Sequence, residues 1–255
     1  MKIALCVHGL SAGVNRLRGG KILFGYTVLD NSEGLNQLKQ ISQLDVFVHT
    51  WNSENKDKIE KQYEPKKLII EEISSDIKKK VLDLDNFPRR KKYMNSHLYC
   101  KYSNFYSQRQ ADLLRITYQK ENDFEYDCVI HTRFDVHFTF NPEIFLTFDI
   151  DSNYYIPGRV KKGMPNWYYN LMIISSGKLI EEFTKIYFEV DKLIDQLAKE
   201  GKKQTHGKKL EKHIPKLNNH FMLGYFFKNN EINNIVEVLP HEGVIVKQYS
   251  IKKPR

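Results

Sequence analysis

The chain's 255 residues predict a single α/β domain with a mostly parallel central sheet flanked by helices. Three observations predict it. Short aliphatic runs recur at 1–7, 45–49 and 127–131, continuous enough to be strands buried on both faces. Stretches of helical spacing lie between them, so strand and helix alternate as crossover connections require. Each run also stops abruptly at a polar or glycine-containing cluster, where a chain turns over the end of a sheet.

Taken in order, residues 1–7 form the first buried strand, ended by Gly9. Residues 11–20 are rich in Gly, Ser and Asn and carry Arg16 and Arg18, the composition of a loop. Leu35, Leu38, Ile41 and Leu44 mark a helix over 31–44, with Asn31 or Ser32 as its cap. The run DVFVH at 45–49 is a second strand, and 67–70 a third after Pro65. The polar, lysine-rich stretch 74–92 is expected to be a mobile excursion. A long helix follows over 99–121, then the strand DCVIH at 127–131, ended by Thr132-Arg133-Phe134-Asp135. Short strands are expected at 154–157 and 171–175, and a strongly amphipathic helix over 179–198. Residues 201–216 are expected to be a loop and 219–229 a helix, with last strands at 235–239 and 244–246.

Lys and Arg outnumber Asp and Glu by 40 to 31, and the excess is gathered in runs at 78–80, 89–92, 202–216 and the C-terminal KKPR. Such runs are ordinarily solvated faces; their other uses are nucleic acid, anionic lipid or phosphorylated substrates. Nucleic-acid binding is disfavoured because no binding motif accompanies the basic runs. Cys6 and Cys128 sit inside apolar runs and Cys100 stands apart, so the thiols read as small buried hydrophobes in a reducing compartment, without metal-type Cys/His spacing. The first apolar run is too short for a signal core or a membrane span, which points to a soluble, cytoplasmic protein. Walker A, G-x-S-x-G, H-E-x-x-H and G-x-G-x-x-G patterns are all missing, so a P-loop NTPase, a serine hydrolase, a zincin and a dehydrogenase are disfavoured.

In a doubly wound sheet, ligands lie beyond the carboxyl ends of the strands. That rule brings His8 and Gly9, His49, Thr50 and Trp51, and Arg133 and Asp135 around one cleft. Asp135, at the mouth of the sheet, is placed either to cap a turn or to hold Mg²⁺ or Mn²⁺ against a diphosphate. Arg133 beside it is suited to phosphate. On the long helix, Gln108, Asp112 and Arg115 share a stripe with Arg109 next to it, facing a nucleotide or solvent. Asn166, Trp167 and Asn170 combine aromatic faces with amides, the chemistry that holds sugar rings. His220, His241 and Glu242 are structural residues or candidates for a base or metal ligand.

Ile3-Ala4-Leu5-Cys6-Val7-His8-Gly9, the Asp-Val-Phe-Val-His-Thr-Trp of 45–51, Tyr63-Glu64-Pro65-Lys66 and the Tyr126–Asp135 segment together resemble a family of small bacterial and large-virus glycosyltransferases with a GT-A (Rossmann-like) fold. The resemblance covers mainly residues 1–140. It implies a nucleotide-binding half at 1–140, an acceptor-binding half at 141–255, and a UDP- or GDP-linked sugar donor. It also implies a glycan, glycolipid or other hydroxyl acceptor, with peripheral membrane contact through the basic patches as a corollary. Asp135 stands where such enzymes keep the metal-binding aspartate of D-x-D, while Arg133 occupies the first Asp position. The resemblance leaves two other readings open, a nucleic-acid-binding protein and a catalytically inactive GT-A scaffold.

Overall fold

The computed structural model describes residues 1–11, 13–16, 22–26, 28–96, 98–157, 171–203, 219–230, 236–239 and 244–248. The first half runs β1 (Lys2–Gly9), β2 (Gly13–Arg16), β3 (Ile22–Tyr26), α1 (Ser32–Ile41), β4 (Gln43–Thr50), α2 (Lys56–Tyr63), β5 (Lys67–Ile70), α3 (Ser75–Leu82) and α4 (Tyr99–Asn122). The second half runs β6 (Cys128–Arg133), β7 (Val136–Phe140), α5 (Pro142–Phe145), β8 (Tyr154–Pro157), β9 (Met172–Ser175), α6 (Gly177–Thr184), α7 (Ile186–Lys203), α8 (Asn219–Asn229), β10 (Val236–Leu239) and β11 (Val244–Gln248).

Seven of these strands form one sheet in the order β10-β8-β9-β6-β1-β4-β5. All pairings are parallel except those of β9, which runs against both β6 and β8. With helices on both faces, this is the α/β architecture with a mostly parallel central sheet that the residue patterns predict. Alternation along β1 explains the layering. Ile3, Leu5 and Val7 point to a face covered by Leu35 and Leu38 of α1 and by Ile59 and Tyr63 of α2. Ala4 and Cys6 point to the opposite face, under Tyr102, Phe105 and Ala111 of α4 and beside residues of α6, α7 and α8. Each fully buried aliphatic or aromatic side chain in these layers contributes about 1.5–3 kcal/mol.

Close approach sets one detail of the first layer. A Cβ on Gly34 would lie 2.4 Å from the Phe138 carbonyl oxygen, so α1 rests on β7 only because residue 34 has no side chain. Asn31 reinforces the joint without capping α1. Its amide donates to the Tyr63 hydroxyl (3.1 Å) and the Val136 carbonyl (2.9 Å), and its oxygen accepts from Phe138 N–H (3.1 Å).

Several expectations are corrected. Residues 11–20 were expected as loop, but β2 and β3 pair as an antiparallel hairpin. The helix expected over 31–44 stops at Ile41, because Ser42 is extended and Gln43 already pairs with Lys2. The stretch 74–92 is ordered: the Ser74 hydroxyl caps α3 at Ile77 N–H, and a 3₁₀ turn follows over Pro88–Tyr93. Val81, Leu82 and Tyr93 enter the core there, and Arg90 is buried on Asp191 (2.5 Å) with its guanidinium over Phe87. The helix expected over 179–198 is two helices, α6 and α7, parted at Lys185. The 201–216 loop lies largely outside the described residues, although residues 201–203 continue α7. Among the described residues no helix is long and apolar enough to cross a membrane.

Candidate active site at the carboxyl ends of β1, β4 and β6

Register decides which residues meet. In the parallel sheet His8 of β1 stands opposite His49 of β4 on one side and Arg133 of β6 on the other. Gly9 follows opposite Thr50. Strand alternation puts the three side chains of this row on the α4 face, each two residues beyond Cys6, Phe47 and His131. Gly9 has φ +108°, a left-handed conformation that favours glycine, where β1 ends.

Two residues that no sequence pattern flagged organise the row. The Ser107 hydroxyl of α4 accepts from Gly9 N–H (2.9 Å) and lies 2.7 Å from His49 Nδ1. Glu71, the residue after β5, lies 3.0 Å from His49 Nε2, and its other oxygen accepts from Lys80 (2.6 Å). Glu71 was open to the strand-end rule that picked out the other members, since it follows the carboxyl end of β5. Ser107 had no such signal.

Burial holds the His49 imidazole below its ordinary pKa despite the Glu71 carboxylate. A neutral ring fits the pattern: Nε2–H donates to Glu71 while Nδ1 accepts from Ser107. Burial would raise the Glu71 carboxyl, yet hydrogen bonds from His49 and Lys80 outweigh it and hold the group at about 2. A depressed carboxylate stabilises the fold above its ordinary value and loses that contribution as pH falls toward its folded value. The wild-type unfolding free energy is therefore expected to decline from about pH 4.5 down to about pH 2. Glu71→Gln should flatten that decline in acid-unfolding titrations, and parallel curves would refute the pairing.

On the opposite side of the row, Arg133 grips Asp135 through Nε–Oδ1 (2.9 Å) and Nη2–Oδ2 (2.5 Å). Asp135 is 5% exposed and sits in the β6–β7 turn. Both carboxylate oxygens already serve the guanidinium. Among the described residues no group of three or more His, Cys, Asp or Glu ligands assembles around Asp135. Among the described residues, then, Asp135 offers one carboxylate already held by Arg133 and no assembled ligand set for Mg²⁺ or Mn²⁺.

Other predicted site residues fall elsewhere. Thr50 is buried and donates to the Ser11 hydroxyl (2.9 Å), which donates to Asn52 (2.8 Å), so it fastens the chain after β1 to the chain after β4. Trp51 is 2% exposed and packs on Tyr106 and edge-on to His49, a core residue and not a cleft wall. Asp112 and Arg115 face neither solvent nor an open cleft, because both are buried between α4 and the sheet, paired at 2.7 Å. Arg109 lies over the Phe188 ring on α7, 4.9 Å from its centroid. Asn166, Trp167, Asn170, His241 and Glu242 lie outside the described residues, and of His220 only the helical backbone is described. A separate cleft of about 290 Å³, between Tyr154, Leu179, Glu182, Phe226 and their neighbours, shares no residue with the row.

No family model matches this chain, and no curated protein does. Among solved structures it is similar to mouse xyloside xylosyltransferase 1 in its apo form, at 11% identity and a TM-score of 0.39, over 94% of this chain and 85% of that one. It is also similar to the apo-form glycosyltransferase GlyE of Streptococcus pneumoniae TIGR4, at 12% identity and a TM-score of 0.38. That alignment covers 94% of this chain but only 45% of GlyE. At such distance the functional reading rests on the strand-end residues and not on these neighbours.

Proposed function

We propose that the chain is a glycosyltransferase that moves a sugar from a UDP- or GDP-linked donor to a hydroxyl of a glycan or glycolipid acceptor. One observation carries the reading: His8, His49 and Arg133 lie in a single register row at the carboxyl edge of the parallel sheet, where such folds bind nucleotides. The local sequence around each of them supports it through the resemblance described above. The acceptor oxygen attacks the anomeric carbon as its bond to the diphosphate oxygen breaks. The hydroxyl proton passes to a base, and charge accumulates on the leaving diphosphate. Arg133 supplies a fixed cation there. Its Nε and Nη2 are given to Asp135, which orients the guanidinium and leaves the Nη1 edge to meet phosphate oxygens. Gly9 would flank the nucleotide, with His8, 2% exposed, and the neutral His49 packed beneath it. Asn166, Trp167, Asn170 and His220 remain the candidates for the acceptor, and His241 and Glu242 for the base.

A thermal-shift screen tests the proposal. UDP, GDP, CDP, ADP and their sugar conjugates are each added to the protein with and without Mn²⁺. A ligand at a hundredfold excess over its Kd should add about 2.7 kcal/mol of stability. Stabilisation by one nucleotide family, without need of Mn²⁺, is the expected result. A requirement for Mn²⁺ would return the diphosphate to a cation on Asp135. No response to any nucleotide would overturn the donor assignment and favour the inactive-scaffold reading.

A further inference from the structure

Behind the strand-end row lies a buried polar layer that the proposed transfer does not use. Cys6 of β1 and His131 of β6 stand directly opposite each other in the parallel register, and Asp112 of α4 covers them. One ligand atom from each, the Cys6 sulfur, a carboxylate oxygen and an imidazole nitrogen, lies within 4.8 Å of the other two. All three side chains are at most 1% exposed. Both His131 nitrogens, Asp112 Oδ2 and, beside them on α4, Gln108 Oε1 are buried without a hydrogen-bond partner. The closest approach of His131 to Asp112 is 3.6 Å, from Nε2 to Oδ1. Each such orphaned group costs about 1–3 kcal/mol if nothing satisfies it. A cluster of them around a thiol therefore calls for an occupant.

We propose that Cys6, Asp112 and His131 bind a divalent transition-metal ion of the zinc type, clamping α4 to β1 and β6. Thiolate, imidazole and one carboxylate are the donors such an ion selects, whereas Mg²⁺ and Mn²⁺ prefer all-oxygen sets. Bonds of about 2.0–2.3 Å around a tetrahedral ion would draw the three ligand atoms together by roughly 1 Å. The charges balance: the thiol proton leaves to solvent on binding, and thiolate and carboxylate together neutralise the ion. Arg115 does not block it, because it holds Oδ1 and leaves Oδ2 unpartnered. The fourth position falls to Gln108 or His8. His8 Nδ1 is unpartnered too, and its ring centroid lies 6.0 Å from that of His131. Cys6 and His131 each precede a member of the strand-end row by two residues, so the ion would stiffen that row from behind. Apart from His8 as the alternative fourth ligand, the inference uses no member of that row, and it does not rest on the transferase reading.

Full-length protein stripped with chelator and titrated with Co²⁺ decides the matter. The expected result is stoichiometric uptake with a thiolate-to-cobalt charge-transfer band and the intense visible bands of four-coordinate cobalt. Zn²⁺ should displace the cobalt and raise the melting midpoint, while Mg²⁺ does neither. Cys6→Ser should remove the charge-transfer band, Cys100→Ser should keep it, and His131→Gln should weaken uptake by roughly tenfold or more. If Cys6→Ser fails to fold, the wild-type spectrum still settles the question. A wild-type protein that takes up no stoichiometric cobalt, or takes it up without a thiolate band, overturns the site.

Discussion

Arg115→Met is expected to destabilise the fold by about 3–5 kcal/mol, the cost of breaking a buried ion pair from one side. The guanidinium is wholly buried. Its Nε donates to Asp112 Oδ1 (2.7 Å), Nη2 to Glu181 (3.1 Å) and Nη1 to Gln119, so one side chain links two positions of α4 to α6. Methionine keeps the length and apolar bulk but leaves the Asp112 carboxylate, 1% exposed, with no cation beside it. In a protein of this size the loss corresponds to a fall in melting midpoint of roughly 10 °C. It is to be measured with chelator present, so that no ion neutralises Asp112. Two further readings make the result specific. Burial would raise the Asp112 carboxyl, but His131 and Arg115 beside it hold it below its ordinary value of 3.8. That stabilisation exists above this pH and fades below it, so wild type and variant should converge in acid. The double variant Asp112→Leu/Arg115→Met should regain most of the loss, because an apolar pair costs no desolvation of charge. A single variant within about 1 kcal/mol of wild type would mean that the pair contributes no more than a surface bridge.

The same pair shows what the sequence could and could not disclose. β1, β4 and β6 were legible because strands buried on both faces must be continuous aliphatic runs, as Ile3–Val7, Val46–Val48 and Cys128–Ile130 are. The order of the strands was not legible, but the neighbourhood of their carboxyl ends was, since ligands of a doubly wound sheet lie beyond those ends. α2 was not legible, because Ile59 and Tyr63 are its buried residues and two apolar positions in eight make no stripe. The 74–92 stretch misled for a related reason. Its lysines advertise solvent, while the residues that fix it, Val81, Leu82, Arg90 and Tyr93, are scattered among them. Arg90 is buried only because Asp191, 101 positions away, meets it. Long-range polar partnerships leave no local signal. Asp112 and Arg115, though only three positions apart, read as a stripe facing a nucleotide or solvent because their burial is set by the packing of α4 on the sheet. The Cys6–Asp112–His131 cluster, spread over distant positions, showed no metal-type spacing. Ser107 is the extreme case, a mid-helix serine whose position under Gly9 and His49 is set entirely by packing of α4 across the sheet.

Arg133→Met is expected to lower kcat/KM for the donor found in the nucleotide screen by about 10²–10³-fold, the usual cost of removing one fixed donor from a site of developing charge. The role of Asp135 sets how the variants at 133 and 135 rank. In the arrangement described, Asp135 holds Arg133 by two hydrogen bonds and is itself buried by the β6–β7 turn. It is then a positioning residue, and Asp135→Asn should cost less than Arg133→Met, because asparagine still offers one oxygen to the guanidinium. Arg133→Met should also abolish stabilisation by the nucleoside diphosphate while leaving any stabilisation by the bare nucleoside intact, since only the phosphates meet Arg133. Arg133→Lys should recover part of the activity, but not all of it, because an ammonium cannot keep both bonds to Asp135 and still present a second edge to the ligand. If Asp135 instead carries a divalent cation during turnover, the order of effects reverses. Asp135→Asn then becomes the more damaging change, and Mn²⁺ dependence disappears with it. The ranking of two variants at positions 133 and 135 therefore assigns the diphosphate to the arginine or to a metal.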